Sequence, residues 1–258
     1  MGDQPDKPNR GTWYSDWFNE AYLTVYSHRN PESAAAEVRA VARLLDLNKA
    51  DRVLDLCCGS GRHLLHFKEL GYPNAVGLDL SPDLLGAARE GLGPSATLVR
   101  GDMRDLPFTA TFDAVICLFT SFGYFLDDEQ NLRVLKEIRN TLVHRGRFLL
   151  DLVSAGVTNN LVPETVRNQG DLEITERRRF VSKTERLEKE ILIRGPEGSH
   201  EFIESVRVYS FKEVRTMLAM AGLAMESIYG DFDESPYGPG SEQMIVVGKV
   251  ADCTPEVS

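Results

Sequence analysis

The spacing of apolar positions switches between two periods through the middle of the chain. Short apolar runs typical of buried strands lie at 52–57, 75–79, 97–100, 113–119 and 146–153. Stretches with helical spacing lie between them, near 61–70, 82–90 and 128–142. Because strands that alternate with helices form parallel sheets with right-handed crossovers, this region predicts a doubly wound α/β fold.

The chain before the first predicted strand has a helical pattern. Residues 1–10 are polar and contain two prolines, so we expect a disordered tail there. Aromatic residues then recur at amphipathic spacing, and Pro31 is placed to open a helix that ends near Leu45. We therefore interpret 11–47 as an N-terminal helical cap that precedes the main domain at 48–258.

The pattern changes again after residue 154. Segments 171–181 and 186–194 are rich in β-branched and charged residues, and Gly195–Gly198 is typical of a hairpin turn. This favours an antiparallel β flap, at about 164–209, inserted in the main domain.

The end of the chain predicts one helix and two strands. Ser210 and Glu213 form a capping box for a helix that Gly222 ends. Strands at about 224–230 and 243–249 then form a closing β pair. The predicted architecture is a doubly wound, seven-stranded, mostly parallel sheet with helices on both faces, the N-terminal helical cap and the antiparallel β flap.

Composition and charge narrow the classes of partner. The chain has 258 residues and a net charge of −10, which opposes binding to nucleic-acid phosphates. Acidic residues also surround the basic run Arg177–Arg179, which favours a solvated strand face over an RNA-binding patch. No apolar run approaches the ~18 residues of a membrane span, and the N-terminus has no apolar signal core. We therefore expect a cytoplasmic protein without membrane contact.

The glycine turn after the first strand is the main candidate for ligand binding. Gly59 and Gly61 precede a predicted helix, where backbone can approach a ligand and the helix N-terminus favours negative charge. A dinucleotide fingerprint needs a third glycine where Leu64 stands, so the match to NAD is weak. Asp79 ends the second strand, where a carboxylate can accept both hydroxyls of an unphosphorylated ribose.

The third strand ends in residues that separate the remaining adenosine cofactors. Asp102 can accept a hydrogen bond from an adenine amino group while Met103 packs on the ring. The whole series resembles the motifs of the class I S-adenosylmethionine-dependent methyltransferases, and it consists of Asp55, Gly59, Gly61, Asp79 and Asp102.

That resemblance implies a Rossmann-like methyltransferase fold, with S-adenosylmethionine as cofactor and S-adenosylhomocysteine as product. It places the methionine part on the glycine turn, the ribose on Asp79 and the adenine on Asp102 and Met103. The other cofactor contacts that we predict are Tyr26, Cys57, Leu80 and Leu118.

The loop after the fourth strand is the predicted acceptor side of the site. Ligands bind outside the carboxyl ends of parallel strands, so 118–125 should flank the reacting methyl group. The loop lacks the Asn/Asp-Pro-Pro-aromatic motif of nucleic-acid amino methyltransferases and looks more like the loops of small-molecule enzymes, including sugar-amine and glycine-type N-methyltransferases. We predict catalytic roles for Tyr14 and Tyr124 and no metal. The predicted substrate contacts are Ser121, Asp151, Asp231 and Tyr237.

The favoured function is transfer of a methyl group to a nitrogen or oxygen of a small polar molecule by in-line displacement. An RNA- or protein-modifying methyltransferase and a non-catalytic S-adenosylmethionine-binding protein stay open, with an oxidoreductase as a more distant alternative. Arg29 and Arg62 are either partners of the methionine carboxylate or solvated helix residues. The oligomeric state is open, with a homodimer as one candidate.

Overall fold

The computed structural model describes residues 9–26 and 31–252. The strands, in chain order, are β1 (Val53–Leu56), β2 (Ala75–Asp79), β3 (Thr97–Arg100), β4 (Phe112–Cys117), β5 (Leu142–Val153), β6 (Glu164–Gln169), β7 (Leu172–Val181), β8 (Arg186–Gly195), β9 (Gly198–Arg207), β10 (Leu223–Tyr229) and β11 (Gln243–Val250). The helices are α1 (Trp13–Trp17), α2 (Glu20–Val25), α3 (Pro31–Leu44), α4 (Arg62–Glu69), α5 (Pro82–Leu92), α6 (Asp128–Thr141) and α7 (Phe211–Met220).

The main sheet has seven strands in the order β10-β11-β5-β4-β1-β2-β3. Strand β1 pairs in parallel with both β2 and β4, and β11 runs antiparallel to β5 and β10. Because the strand order reverses between β1 and β4, a crevice opens at their carboxyl ends, which is where such sheets bind ligands. The predicted fold class is confirmed.

The antiparallel β flap is also confirmed, as a separate four-stranded sheet in the order β6-β7-β8-β9. Its apolar face is buried, because Ile174, Ile191 and Ile203 belong to the same core cluster as Trp13 and Trp17 of α1. Helix α1, at the start of the N-terminal cap, is therefore packed against both the flap and the main sheet.

Two details differ from the sequence-based expectation. Strand β5 begins at Leu142, directly after α6, rather than at 146. The extra length is absorbed by an irregular pairing, in which Phe112 faces Leu142 but Ala114 faces Arg147. The aromatic stretch near the N-terminus forms two short helices, because the Asn19 side chain accepts a hydrogen bond from the backbone N of Ala21 and so starts α2.

Two kinds of feature are absent from the described part of the chain. Within 9–26 and 31–252, no helix is long and apolar enough to cross a membrane. No group of three or more His, Cys, Asp or Glu side chains suited to a metal ion was found in the same ranges. Most of the predicted disordered tail and Arg29 lie outside the described residues.

Candidate active site

A cavity of about 280 Å³ lies at the carboxyl ends of the central strands and under the N-terminal cap. Most of the residues predicted from sequence line it. These are Tyr14, Tyr26, Asp55, Cys57, Gly59, Asp79, Leu80, Asp102, Met103, Leu118, Ser121 and Tyr124. Parallel strands bring the positions from Asp55 to Tyr124 together because their carboxyl ends meet at one edge of the sheet, and the N-terminal segment adds Tyr14 and Tyr26.

The glycine turn has left-handed backbone at both glycines, but the two serve different purposes. Gly59 has φ 55° and lines the cavity, and a Cβ there would meet only the Leu84 side chain, at 3.9 Å. Gly61 has φ 77°, and a Cβ there would lie 2.8 Å from Leu92 and 3.2 Å from Ala88 of α5. Gly61 therefore lets α5 pack against the turn, and its role toward a ligand stays a prediction.

Asp55 is the least satisfied polar side chain at the site. It is 1% exposed, and its Oδ2 atom is buried without a hydrogen-bond partner. Burial, opposed by Arg62 and assisted to a smaller extent by Asp79, raises the pKa of Asp55 to about 7. A buried carboxylate oxygen with no donor is costly unless a ligand supplies one, so this atom marks a place for a cationic or N–H group.

Asp79 closes the glycine turn from the end of β2. Its Oδ2 accepts a hydrogen bond from the Gly59 N–H at 2.8 Å, and its Oδ1 accepts one from Ser81 at 2.9 Å. Burial raises the pKa of Asp79, although these backbone N–H groups oppose the shift. The Ser81 hydroxyl also donates to the Phe18 carbonyl at 2.6 Å, which ties the cap to this corner.

Asp102 and Met103 form the opposite wall. Arg104 holds Asp102 through a short ion pair, with 2.6 Å between Nη2 and Oδ2. Burial alone would raise the pKa of Asp102, but the hydrogen bonds and charge of Arg104 outweigh it and hold the pKa below its usual value. Met103 Sδ lies 3.8 Å from Cys57 Sγ, so the two sulfur side chains form one soft surface.

Aromatic rings contribute a large part of the remaining lining. Tyr124 packs edge-on against Trp13, with 4.8 Å between ring centroids, and stacks on Phe18 at 5.8 Å. Burial raises the pKa of the Tyr124 hydroxyl well above its usual value, so the hydroxyl stays protonated, and it is in hydrogen-bonding contact with Ser121. Tyr14 meets the ring of Phe125 at 5.5 Å.

Glu204, on β9, fixes the cap to the flap and was not anticipated from the sequence. It accepts hydrogen bonds from Trp17 Nε1 at 2.7 Å and from the Tyr26 hydroxyl at 2.9 Å, and it pairs with Lys189 Nζ at 2.5 Å. Lys189 also donates to the Tyr26 hydroxyl at 2.6 Å. Trp17 and Glu204 are 187 residues apart in the chain, so only tertiary packing joins them.

Arg62 and His63, at the start of α4, share one carboxylate from α3. Glu37 Oε2 lies 3.1 Å from Arg62 Nη2 and 2.6 Å from His63 Nε2. Burial lowers the pKa of His63, against the opposing hydrogen bond with Glu37. Arg62 lines the cavity over the ring of Phe119, at 4.6 Å, so it is not a solvated helix residue.

Three predicted substrate contacts lie outside the cavity lining. Asp151 accepts a hydrogen bond from the Phe119 N–H at 2.8 Å, and burial raises its pKa to about 7. Asp231 accepts from the backbone N of Phe232 within its own turn, and Tyr237 hydrogen-bonds Ser154 at 3.2 Å. The structure therefore gives each of them a local partner, and their roles toward a substrate stay predictions.

Each arginine of the basic run Arg177–Arg179 on the flap pairs with a glutamate on its own or a neighbouring strand. Arg177 pairs with Glu164 at 2.6 Å and Arg179 with Glu188 at 2.7 Å, while Arg178 pairs with Glu176. This ladder of ion pairs supports the interpretation of a solvated strand face over a patch for nucleic-acid phosphates.

Comparisons with known proteins agree with this geometry. Residues 53–146 match the family model described as a methyltransferase domain. Over 114 residues the chain is 44% identical to dTDP-3-amino-3,4,6-trideoxy-alpha-D-glucopyranose N,N-dimethyltransferase of Streptomyces venezuelae, a match that spans 43% of this chain and 46% of that protein. It is 27% identical to dTDP-3-amino-3,6-dideoxy-alpha-D-glucopyranose N,N-dimethyltransferase of Streptomyces fradiae, over 84% of this chain and 88% of that protein. It is 28% identical to the cypemycin N-terminal methyltransferase of a Streptomyces species, over 91% and 96%.

Solved structures show the same fold. DesVI of Streptomyces venezuelae superposes with a TM-score of 0.66 at 26% identity, over 93% of this chain and 98% of that chain. The methyltransferase CcbJ of Streptomyces caelestis superposes with a TM-score of 0.78 at 18% identity, over 95% and 100%, which is a likeness of fold.

The doubly wound sheet, with a cavity where the strand order reverses between β1 and β4, is the architecture of a nucleotide-binding fold. Together with the methyltransferase-domain match over residues 53–146 and the relatives named as methyltransferases, these features support an S-adenosylmethionine-dependent methyltransferase. The residues present fit that cofactor, because the unpartnered Oδ2 of Asp55 suits a cationic donor and the Gly59 turn leaves room for a ligand.

Proposed function

We propose that this enzyme methylates the amino nitrogen of a small amino sugar. The observation that carries the choice of nitrogen is the state of the lining hydroxyl of Tyr124, whose pKa is raised by burial so that it stays protonated. The imidazole of His63, a lining residue that could also act as a base, is engaged by Glu37, with 2.6 Å between Nε2 and Oε2. A hydroxyl acceptor usually needs a base, whereas a neutral amine brings its own lone pair.

The cofactor contacts are part of the same proposal. Bound S-adenosylmethionine supplies the electrophilic methyl group. Asp55 binds its ammonium group, Asp79 binds the ribose hydroxyls, and Asp102 with Met103 binds the adenine. The cap residue Tyr26 and the ring of Tyr124 exclude water from the site.

The sugar acceptor is supported by two independent features. Relatives that align over most of their length are named as N,N-dimethyltransferases of amino sugars. The cavity combines aromatic walls with a few polar groups, as is usual for sites that orient a small polar molecule. Tyr14 and Ser121 are the polar lining groups that we assign to acceptor orientation.

The experiment is a panel of acceptors with labelled S-adenosylmethionine and mass detection of each product. The panel contains dTDP-linked amino sugars, their free forms, matched hydroxy sugars without the amine, and total RNA. We expect mass gains of one or two methyl groups on amines only. Asp79→Asn should abolish turnover, while Asp83→Asn, an exposed change on the following helix, should leave it intact. Methylation of a hydroxy sugar or of RNA, with amino sugars inert, overturns the proposal.

A peptide α-amine is the second candidate acceptor. It is favoured by the match to the cypemycin N-terminal methyltransferase, which covers 96% of that protein. Peptides with a free N-terminus and their N-acetylated forms belong in the same panel. A mass gain on the free peptides alone would select this second function over the sugar.

We infer cytoplasmic action, and the assembly stays open with a homodimer as one candidate. Cys57 and Cys58, at the cavity wall, are free thiols, which suits a reducing compartment. Sedimentation of the purified chain tests the assembly, and a monomer at working concentration would exclude the dimer.

A further inference from the structure

A buried arginine lies directly behind the acceptor side of the cavity. Arg186, on β8 of the flap, is 3% exposed. Its Nη1 donates to the Phe125 carbonyl at 3.0 Å, and its Nη2 donates to the carbonyls of Gly123 and Tyr124 at 3.1 and 2.9 Å. Three successive carbonyls of the loop after β4 therefore converge on one guanidinium.

The same guanidinium is anchored to the neighbouring flap strand. Its Nε donates to the Ser205 hydroxyl at 2.8 Å, and its Nη2 donates to the Ser205 carbonyl at 2.6 Å. Planar guanidinium presents its donors in a fixed fork, so the two sets of acceptors are held at a set separation. Arg186 is thus a rigid connection between the flap and the loop.

The local backbone is shaped for this connection. Gly123 has φ 92°, and a Cβ there would lie 2.9 Å from the Arg207 carbonyl oxygen. The Arg207 N–H also donates to the Gly123 carbonyl at 2.8 Å. Only a glycine lets the loop come this close to the flap, where its carbonyls reach Arg186.

The side of the loop opposite Arg186 faces the cavity. The side chains of Tyr124 and Phe125 line the cavity, whereas their carbonyl oxygens accept hydrogen bonds from Arg186. A shift of these carbonyls would move the rings that form the cavity wall. Misplacement of about 1 Å at such a wall is enough to slow a reaction about a hundredfold.

We propose that Arg186 is a positioning residue for methyl transfer: it holds the loop 118–125 against the flap so that Ser121 and Tyr124 face the acceptor. Its kinetic part rests on the proposed function, since turnover needs an amine acceptor. The acidic cofactor residues Asp55, Asp79 and Asp102 lie at or near the ends of other strands, so we expect most of the cofactor affinity to persist without Arg186, although Leu118 belongs to the loop.

The test compares Arg186→Lys and Arg186→Gln with Arg194→Lys. Arg194 lies on the same strand in an exposed pair with Glu173, at 3.0 Å, and serves as the matched control. Hydrogen exchange of the peptide that covers 118–125 is measured first, because it needs no acceptor. We expect exchange there to rise about tenfold or more in the Arg186 variants, as for a loop that opens locally. Other segments and the Arg194 variant should match the wild type.

Kinetics per S-adenosylhomocysteine-binding site separate positioning from loss of fold. We expect kcat to fall about tenfold or more in Arg186→Lys, while the Kd for S-adenosylhomocysteine stays within about threefold. Effects of Arg186→Lys and Tyr124→Phe on kcat/KM should be non-additive, because both act through one loop. If Arg186→Gln does not fold, Arg186→Lys carries the test.

Two results would overturn the inference. One is unchanged loop exchange and kcat in Arg186→Lys. The other is a parallel loss of cofactor binding with faster exchange throughout the chain, which would give Arg186 a general role in stability. If the wild type methylates no amine, the proposed function fails, while the exchange measurement still decides whether Arg186 holds the loop.

Discussion

Leu64 packs against Gly77 so closely that a Cβ at Gly77 would lie 2.5 Å from Leu64 Cδ1. A dinucleotide fingerprint has glycine at the position of Leu64, so that the helix can approach the strand. Here the small residue lies on the strand β2 instead, and the leucine of α4 fills the space above it. The helix therefore approaches the strand as closely as in the fingerprint, but the glycine is on the strand and the large residue is on the helix.

We therefore expect Gly77→Ala to lower the free energy of unfolding by about 1–3 kcal/mol through overpacking. The double variant Leu64→Ala/Gly77→Ala should recover part of the loss relative to additivity, although Cys58 Sγ would still lie 2.7 Å from the new Cβ. Gly86→Ala is the control, because a Cβ there meets nothing within 4 Å. Urea unfolding measures all three, and strict additivity would contradict the proposed contact.

Asp55→Asn should change stability and cofactor binding in opposite directions. Removing a buried carboxylate with an unpartnered oxygen should stabilise the ligand-free protein by about 1–3 kcal/mol at pH 8. The same change should raise the Kd for S-adenosylhomocysteine by about 10- to 100-fold, which corresponds to the loss of one hydrogen bond to a charged group. Thermal unfolding with and without ligand measures both. Equal ligand-induced stabilisation in the variant and the wild type would exclude the assigned role of Asp55.

The raised pKa of Asp55 also predicts a pH dependence. Its pKa of about 7 exceeds the value of 3.8 for an unperturbed aspartate, so the folded state retains a proton that the unfolded state has lost. Stability from this group is therefore complete below pH 4 and is lost as the pH rises toward 7. Cofactor affinity should rise across pH 6–8, because the ionised carboxylate binds the cation. Calorimetry in buffers of different ionisation enthalpy should detect proton release at pH 7, and Asp55→Asn should show less.

Tyr124→Phe should reduce kcat/KM by no more than about tenfold, the cost of one neutral hydrogen bond. Because burial raises the pKa of the hydroxyl, it does not act as a base at neutral pH. The basic limb of the pH–rate profile should therefore be the same in the variant and the wild type. Tyr124→Ala, which also removes the ring contacts with Trp13 and Phe18, should cost much more. A basic limb that vanishes in Tyr124→Phe would show that the tyrosine accepts a proton.

Glu204→Ala should loosen the cap. Loss of this carboxylate leaves Lys189 without its ion-pair partner and removes an acceptor from Trp17 and Tyr26, so we expect a loss of about 2 kcal/mol in stability. Because Tyr26 lines the cavity, the Kd for S-adenosylhomocysteine should rise as well. Limited proteolysis of the N-terminal segment measures the loosening. Glu201→Ala, an exposed change on the same strand, is the control. Equal cleavage in the two variants would contradict the role of Glu204 in fixing the cap to the flap.

The position of the cofactor pocket could be predicted from the sequence because it depends on local chemistry and on one topological rule. Asp55, Asp79 and Asp102 each lie at or next to the end of a recognisable parallel strand, and the carboxyl ends of such strands meet at one edge. The acceptor side was harder, since Asp231 and Tyr237 looked like candidates in a polar loop but have local partners outside the cavity lining. A turn-forming loop and a substrate-binding loop have the same composition.

The sequence by itself determined the alternation of strands and helices, the glycine turn and the three acids that line the cavity. Only the tertiary structure decided how the cap and the flap close the site. Glu204 meets Tyr26 across 178 residues, and Arg186 meets the loop carbonyl of Tyr124 across 62. Such contacts leave no periodic signal in the sequence. Whether a charged residue on a strand is buried depends on which distant segment packs over it.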